Sequence, residues 1–255
     1  MHEQTSTAAE EIVSSARVVH DQAPDRFTVL IANAKGGCGK TTLATNLASG
    51  YAARHWPVSL LDMDPQQSAD LWLQQRRRAG IDNIHGLTFP LESHTPVTQM
   101  RARVRDARDV LVIDSPAGLH GQALDQALQL SQVVLIPVLP SPIDIRAATR
   151  FLQTILLSPS YQRRPRRLAV IANRSRQRTR MYAQLNLFLN SLKIPFLTTL
   201  RDTQLYVQAV DQGKGIQELE DRRAEEDQRH WQTVMEWLEI QRQLIRSLPG
   251  FLHPR

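Results

Sequence analysis

The chain has 255 residues, enough for one large α/β domain with a sizeable core, and its net charge of +6 favours acidic partners such as nucleic acid or an anionic membrane. The single cysteine, Cys38, excludes disulfides and cysteine-based metal or iron–sulfur sites within one chain. Because no apolar run approaches membrane-spanning length and the N-terminus lacks a signal-peptide core, we expect a cytoplasmic protein.

Residues 1–25 form a polar stretch that carries no motif. We expect a tail or a short docking helix there. The stretch is too short for a separate helix-turn-helix domain, so sequence-specific operator binding is not expected. The remaining residues, 26–255, are predicted to form one domain.

A glycine-rich stretch lies between an apolar run, Phe27–Ile31, and the helical spacing of Leu43–Ala48. The order of strand, glycine-rich loop and helix is the context of a phosphate-binding loop, in which backbone N–H groups and the helix N-terminus face phosphate oxygens. Ala34 stands where the usual pattern has glycine. We predict that Lys40 reaches the β- and γ-phosphates and that Thr41 ligates Mg²⁺. The predicted nucleotide contacts are Gly36, Gly37, Cys38, Gly39, Lys40, Thr41 and Thr42.

Two aspartates follow the next buried strand, Pro57–Leu61. Asp62 and Asp64 stand in the sequence Asp-Met-Asp-Pro-Gln, and ligand sites of open parallel sheets gather at the carboxyl ends of strands. Because the two carboxylates alternate, one can face the nucleotide while the other supports the loop or the Mg²⁺ shell. We assign Asp62 to the metal site.

A third acid ends the apolar run Asp109–Asp114. An apolar run that ends in an acid is the form of a second nucleotide motif, in which Asp114 would hold a Mg²⁺-bound water. The sequence therefore predicts a nucleotide and Mg²⁺ as ligands, with Thr41, Asp62 and Asp114 around the metal.

Further strands are predicted at Leu87–Phe89, Val133–Val138 and Leu168–Ala172, with helices at Ala123–Leu130 and Ile143–Leu157. Strands that alternate with helices favour the α/β class. The predicted architecture is an open, mostly parallel, doubly wound sheet with helices on both faces.

Charge is most uneven between Asp144 and Asp202, an interval without any acidic residue. Arginine forks suit phosphate oxygens, so the expected ligand is a DNA backbone contacted without base reading. The alternative is a general solubility patch. The basic residues of this interval are Arg146, Arg150, Arg163, Arg164, Arg166, Arg167, Arg174, Arg176, Arg178, Arg180, Lys193 and Arg201.

The chain closes with an amphipathic helix that is predicted over Asp221–Leu248. A membrane anchor of amphipathic type requires a basic polar face, whereas this helix is rich in acids, so no membrane partner is expected. Its apolar stripe suits core packing and consists of Trp231, Val234, Met235, Leu238 and Ile245.

Taken in order, these segments resemble the motifs of the ParA/MinD family of dimerising ATPases, whose deviant phosphate loop has an additional lysine. The turn Ile136–Asp144 resembles that of the small ParF-like partition branch. The resemblance implies that Lys35 crosses a dimer interface to nucleotide bound by the other subunit. It also implies that Asp64 activates the attacking water and that Asn173 contacts adenine.

The same resemblance implies a function. Family members of this type form a homodimer with ATP, coat double-stranded DNA nonspecifically over the nucleoid, and hydrolyse ATP slowly until a ParB-like or adaptor protein stimulates them. Arg178 and Arg201 match the positions of the family's DNA-binding arginines. The implied activity is segregation or positioning of a plasmid, a chromosome or a protein assembly.

Two alternatives stay open on the sequence. The same machine could position a protein organelle such as a carboxysome through an adaptor protein, and the ATPase sequence does not decide between cargoes. A metabolic ligase of the dethiobiotin or cobyrinate synthase kind shares the same loop, but it requires a substrate pocket that no motif beyond the nucleotide segments indicates.

Overall fold

Seven parallel strands form the centre of the computed structural model, which describes residues 26–90, 96–176, 180–191 and 194–247. Their order across the sheet is β3-β2-β4-β1-β5-β6-β7. The strands are β1 (Phe27–Ile31), β2 (Val58–Asp62), β3 (His85–Thr88), β4 (Val110–Asp114), β5 (Val133–Val138), β6 (Arg167–Ser175) and β7 (Phe196–Arg201).

Helices connect these strands and cover both faces of the sheet. Short turns of 3-10 helix at Ile216–Glu218 and Arg222–Ala224 precede the last helix. The described helices are α1 (Lys40–Ala53), α2 (Ser68–Arg78), α3 (Val97–Arg103), α4 (Gly121–Leu130), α5 (Pro142–Leu157), α6 (Pro159–Arg163), α7 (Arg180–Ser191), α8 (Leu205–Asp211) and α9 (Glu225–Ser247).

Alternation along the central strand shows how the two layers form. In β1, Val29 and Ile31 pack into the core that α1 and α9 cover, whereas Leu30 packs into the opposite core with α4 and α5. A strand buried on both faces is mostly apolar, which is why the interior strands read as nearly continuous apolar runs. The predicted α/β fold with an open parallel sheet is confirmed.

Parallel pairing brings the carboxyl ends of all seven strands to one edge. Ile31, at the end of β1, is in register with Asp114 of β4, and Asp114 is in register with Asp62 of β2. β4 pairs with one side of β1 and β5 pairs with the other side, so the chain crosses from one side of β1 to the other after β4. In such sheets ligands bind beyond the carboxyl ends, where neighbouring connections diverge.

The C-terminal helix begins later than the sequence pattern predicts. Its first residue is Glu225, and the preceding turn is 3-10 because the Asp221 carboxylate accepts the backbone N–H of Arg223 at 2.8 Å. The apolar stripe with Trp231 is buried, as expected of core packing. The expected N-terminal tail or docking helix, residues 1–25, lies outside the described residues.

None of the helices in the described ranges is both long enough and apolar enough to cross a membrane.

Candidate functional site

The loop between β1 and α1 depends on glycine at two positions. Gly37 has φ +74° and Gly39 has φ +93°, a left-handed conformation that costs little only for glycine. Ala34 does not adopt positive φ. An alanine therefore fits the position where the usual phosphate-loop pattern has glycine, and the departure noted in the sequence leaves the loop conformation intact.

The two lysines of the loop occupy different environments. Lys40 begins α1, is buried, and donates from Nζ to the Lys35 carbonyl oxygen at 3.1 Å. The Lys35 side chain is 38% exposed and forms an ion pair with Asp144 at 2.7 Å. Lys40 thus points across the floor of the loop, whereas the Lys35 ammonium lies at its rim beside the start of α5.

Asn173, at the carboxyl end of β6, lies against the same loop. Its amide nitrogen donates to the Cys38 carbonyl oxygen at 2.8 Å, and a Cβ added to Gly39 would lie 2.0 Å from that nitrogen. Burial raises the pKa of the Cys38 thiol, and Lys40 acts in the opposite direction. The sequence-based role of Asn173 as an adenine contact stays a prediction, and the structure adds a second role as support for the loop.

The aspartates of β2 and β4 lie side by side but have different partners. Both oxygens of the buried Asp62 accept backbone N–H groups, from Asp64 at 3.0 Å and from Asp70 at 2.9 Å. Asp64 is partly exposed, borders the cavity and accepts the N–H of Gln66 at 2.9 Å. Asp62 therefore holds the turn in place, while Asp64 faces the space where a nucleotide would lie.

Asp114 differs from both, because its two carboxylate oxygens are fully buried without a hydrogen-bond partner of normal geometry among the described residues. Burial raises its pKa to about 7; the Thr41 hydroxyl nearby lowers it and Asp62 raises it further. A buried carboxylate that lacks partners beside a hydroxyl is a set of hard oxygen donors, which fits Mg²⁺.

That set is too small to hold a cation alone. In the described part of the chain, no group of three or more His, Cys, Asp or Glu side chains could hold a metal ion. Mg²⁺ in nucleotide sites commonly keeps waters and phosphate oxygens as ligands and uses only one or two protein groups. Thr41 and Asp114 fit that pattern; the metal role of Asp62 stays a prediction, since its oxygens already accept backbone N–H groups.

A cavity of about 640 Å³ opens beyond these residues. The phosphate loop with the start of α1 and the segment from the end of β7 into α8 both line it. The volume suits a nucleotide-sized ligand. The lining residues are Gly36, Gly37, Gly39, Lys40, Thr41, Thr42, Asp64, Gln66, Ala117, Asn173, Arg174, Arg201, Asp202, Thr203, Gln204, Tyr206 and Val207.

The arginines that adjoin one another in sequence are divided in space. Arg163, Arg164 and Arg167 lie before and at the start of β6, whereas Arg174 and Arg176 lie at its other end, where Asp202 pairs with both. Arg166 is buried, donates to the Leu128 carbonyl at 2.6 Å, and has its pKa lowered to about 10 by burial. Arg166 is therefore not part of a DNA surface, which corrects that part of the expected basic patch.

Of the two arginines predicted to bind DNA, Arg178 and Arg201, the structure describes only Arg201. Arg178 lies outside the described residues. Arg201 forms ion pairs with Glu226 and with the fully buried Asp227, each at 2.5 Å. Its guanidinium thus has intramolecular partners, and its DNA role stays a prediction.

Residues 29–216 match the family described as "CobQ/CobB/MinD/ParA nucleotide binding domain". That match covers most of the chain. The chain belongs to this family. The ParA/MinD resemblance read from the motifs is thereby confirmed.

Curated relatives within the family include two with informative names. "Maintenance of carboxysome distribution protein A" of Halothiobacillus neapolitanus is 33% identical over 196 residues, covering 76% of this chain and 88% of the relative. "Protein ParA" of Rhizobium radiobacter is 31% identical over 127 residues, covering 50% of this chain and 55% of the relative.

Solved structures of the family share the fold at lower identity. The ATP complex of a Cyanothece McdA variant superposes with a TM-score of 0.65 at 19% identity, covering 84% of this chain and 97% of that one. The MinC:MinD complex of Aquifex aeolicus gives a TM-score of 0.62 at 20% identity, covering 90% and 99%. At these identities the likeness shows the fold alone.

For this family member, sequence reasoning gave no individual role to two residues at the loop and the cavity. The partner of Lys35, Asp144, was included only in a turn motif, and Gln66 stood in the Asp-Met-Asp-Pro-Gln segment without a role of its own. A signal for Asp144 was present, because it stands three residues after Ser141 at the start of a helix, where a carboxylate is expected in the first turn. No local pattern indicates a separate role for Gln66.

Proposed function

We propose that this chain is an ATPase that dimerises with ATP, binds double-stranded DNA without reading its sequence, and positions a cargo over the nucleoid of the cytoplasm. A ParB-like or adaptor protein stimulates its slow hydrolysis. The observation that carries the proposal is the pair of loop lysines. Lys40 is buried at the floor of the phosphate loop, and Lys35 is partly exposed at the rim of the same loop.

The chain's own residues divide the work on ATP. Lys40 and the N–H groups of the glycine loop bind the phosphates, because a fixed positive charge and inward-pointing donors match their oxygens. Thr41 and Asp114 would hold Mg²⁺, which would supply charge neutralisation at the phosphates. Asp64 at the cavity edge orients the attacking water.

Lys35 supplies the link between two subunits. In a single chain its ammonium pairs with Asp144 at 2.7 Å rather than turning into the cavity of its own subunit. An ammonium at the rim, on a flexible four-carbon stem, is placed to reach phosphates presented by a second copy. Exchange of the Asp144 carboxylate for those phosphates makes dimer formation depend on a triphosphate.

DNA binding rests on exposed arginines near the carboxyl edge of the sheet. Arg174 and Arg176 are exposed there, Arg180 begins α7 nearby, and Arg178 belongs to the segment between them. Guanidinium groups contact phosphates without sequence information, and dimerisation doubles the contacts. Arg178 is retained as a proposed phosphate contact, whereas Arg201 must first leave its carboxylate partners.

A sedimentation experiment tests the proposal. Duplex DNA is incubated with the chain and Mg²⁺ plus ATP, ADP or no nucleotide, and with the Lys40→Ala variant as control. We expect co-sedimentation with ATP only, and none with Lys40→Ala. If the chain hydrolyses ATP but does not co-sediment with DNA in any nucleotide state, the result favours the ligase alternative instead.

The carboxysome is the specific cargo that one observation favours. The relative named for carboxysome distribution shares 33% identity over 88% of its own length. In the host cell, deletion of the gene is expected to leave carboxysomes clustered while plasmids are inherited normally. If plasmids are lost while the protein organelles stay evenly spaced, the cargo is a plasmid and not the carboxysome.

A further inference from the structure

Arg201 closes the last strand of the sheet at the point where the cavity wall begins. Arg201 and the residues that follow it, Asp202, Thr203, Gln204, Tyr206 and Val207, line the cavity that the phosphate loop also lines. This wall is a strand end and a short helix, so it needs support from behind.

That support comes from α9 through two contacts one helical turn apart. The Arg201 guanidinium forms a bidentate pair with the Asp227 carboxylate: Nε lies 3.1 Å from one oxygen and a terminal nitrogen lies 2.5 Å from the other. Four residues further along α9, the Trp231 indole N–H donates to the Tyr206 hydroxyl at 3.1 Å. Both ends of the wall are thus fastened to one face of the helix.

The Arg201 guanidinium has more hydrogen-bond partners than a solvent-exposed surface arginine would need. Its guanidinium also bonds Glu226 at 2.5 Å and the Arg223 carbonyl at 3.2 Å. Asp227 is fully buried, and burying an ionised carboxylate is costly unless it is paired and hydrogen-bonded. The Asp227 side chain raises the pKa of Arg201, as expected of a bidentate charge-assisted pair.

We infer that Arg201 is a positioning residue of the nucleotide cavity: it locks the wall formed by the end of β7 and the start of α8 to α9 through Asp227 and Glu226, and does not contact DNA. The inference rests on the proposed function, since it assigns this wall to the end of the nucleotide remote from the phosphates. It replaces the DNA role that the sequence resemblance implies for Arg201. A guanidinium that leaves Asp227 for a DNA phosphate would abandon a buried charge, which a solvent-exposed phosphate contact does not compensate.

The two roles predict opposite results for Asp227→Asn. This variant removes the carboxylate charge, keeps the side-chain shape and loosens Arg201. If Arg201 supports the wall, we expect ADP affinity to fall about fivefold to tenfold, with DNA affinity of the ATP-saturated chain unchanged. If Arg201 is a DNA contact, its release should strengthen DNA binding and leave ADP affinity as in the parent.

Pyrophosphate separates a positioning role from general loss of structure. Pyrophosphate occupies only the phosphate loop, so its affinity, measured by competition with a fluorescent ADP analogue, should be the same for Asp227→Asn and the parent. A variant that loses ADP and pyrophosphate affinity equally would overturn the inference. The matched control is Glu225→Gln, which removes an exposed acid from the same turn of α9 and should change neither ligand.

A second variant covers the case in which Asp227→Asn does not fold. Glu226 is 42% exposed on its side chain, so Glu226→Gln should fold and show a smaller loss of ADP affinity, about twofold, in the same direction. ADP affinity equal to the parent's in both variants would refute the wall role of Arg201. Failure of the parent itself to bind ADP would instead refute the proposed function, and with it this inference.

Discussion

The nucleotide cradle, by which we mean the residues that line the cavity, and the arginines between Asp144 and Asp202 differ in how their order along the chain relates to their positions in space. Cradle residues are scattered along the chain, from Lys40 to Tyr206, yet they line one cavity. The arginines from Arg163 to Arg176 adjoin one another in sequence, yet they lie at two ends of the sheet. Distance along the chain is therefore a poor guide to distance in this fold.

The physical reason is the direction of the strands. All carboxyl ends lie on one edge, so any residue just after a strand joins the same site, whichever strand it follows. Within one strand the opposite holds. β6 has nine residues, so Arg167 and Ser175 at its ends stand about 26 Å apart.

The first test of this contrast removes one charge from the cradle. Lys40→Ala takes away the buried ammonium for which no other residue substitutes, and loss of such a contact costs about 3 kcal/mol or more, on the order of 100-fold in ATP affinity. Isothermal titration with ATP measures it. Lys35→Ala is the matched control from the same loop, and should bind ATP yet stay monomeric in light scattering.

The second test separates binding from turnover within the cradle. Asp64→Ala should leave ATP affinity near the parent value and slow hydrolysis roughly 100-fold, because a carboxylate that orients the attacking water contributes about that much. Steady-state phosphate release measures turnover. Hydrolysis at the parent rate would remove Asp64 from this role, and a parallel loss of ATP affinity would make it a binding residue.

The third test concerns the loop that closes the cradle. Gly39→Ala places a Cβ 2.0 Å from the Asn173 amide at φ +93°, so we expect a loss of about 1–3 kcal/mol in unfolding free energy and weaker ADP binding. Urea unfolding measures it. Ala34→Gly, five positions earlier and not in a left-handed conformation, should change stability by about 1 kcal/mol or less. Equal stabilities for the two variants would contradict the geometric argument.

The smallest effect is expected from the divided arginines. With ATP, Arg178→Ala should lower the slope of log DNA affinity against log salt by about 0.9 per lost phosphate contact, evenly across unrelated sequences. Arg167→Ala, at the other end of β6, should leave the slope unchanged. A slope that falls equally for both variants would mean that DNA spans the two ends and that the arginines act as one surface.

Local patterns predicted most of the fold. Val133–Val138 was predicted as a strand with the bounds that the structure shows, because a fully buried parallel strand is a continuous apolar run. The phosphate loop was likewise predictable, since its glycines and lysines stand within a few residues of each other. Such features are set by neighbours along the chain, which a single sequence displays.

Contacts between distant segments could not be predicted in the same way. Lys35 and Asp144 meet because β1 and β5 are adjacent in the sheet, and no local pattern carries that adjacency. The burial of Arg166 is similar: it depends on the end of α4 passing beside the start of β6, where the Leu128 carbonyl oxygen accepts a hydrogen bond from the Arg166 Nε–H. Charge alone predicted a surface residue there.

The position of β1 has a consequence for how the protein is made. This strand is synthesised before all the others, but its two neighbours are β4 and β5, and Val29 pairs with Val133. At about 5–20 residues per second, on the order of 5–20 s of translation separate those two residues. Because β4 pairs with one flank of β1 before β5 is made, the mostly apolar strand keeps its other flank unpaired during part of that time and is then prone to aggregate.

The nucleotide site inherits this delay. Its loop follows β1, but the asparagine that supports the loop belongs to β6, and further lining residues belong to β7 and α8. A nascent chain must therefore emerge almost to its last helix before it can hold ATP. Nucleotide binding can stabilise only chains that are nearly complete, so protection of the growing chain has to come from other molecules.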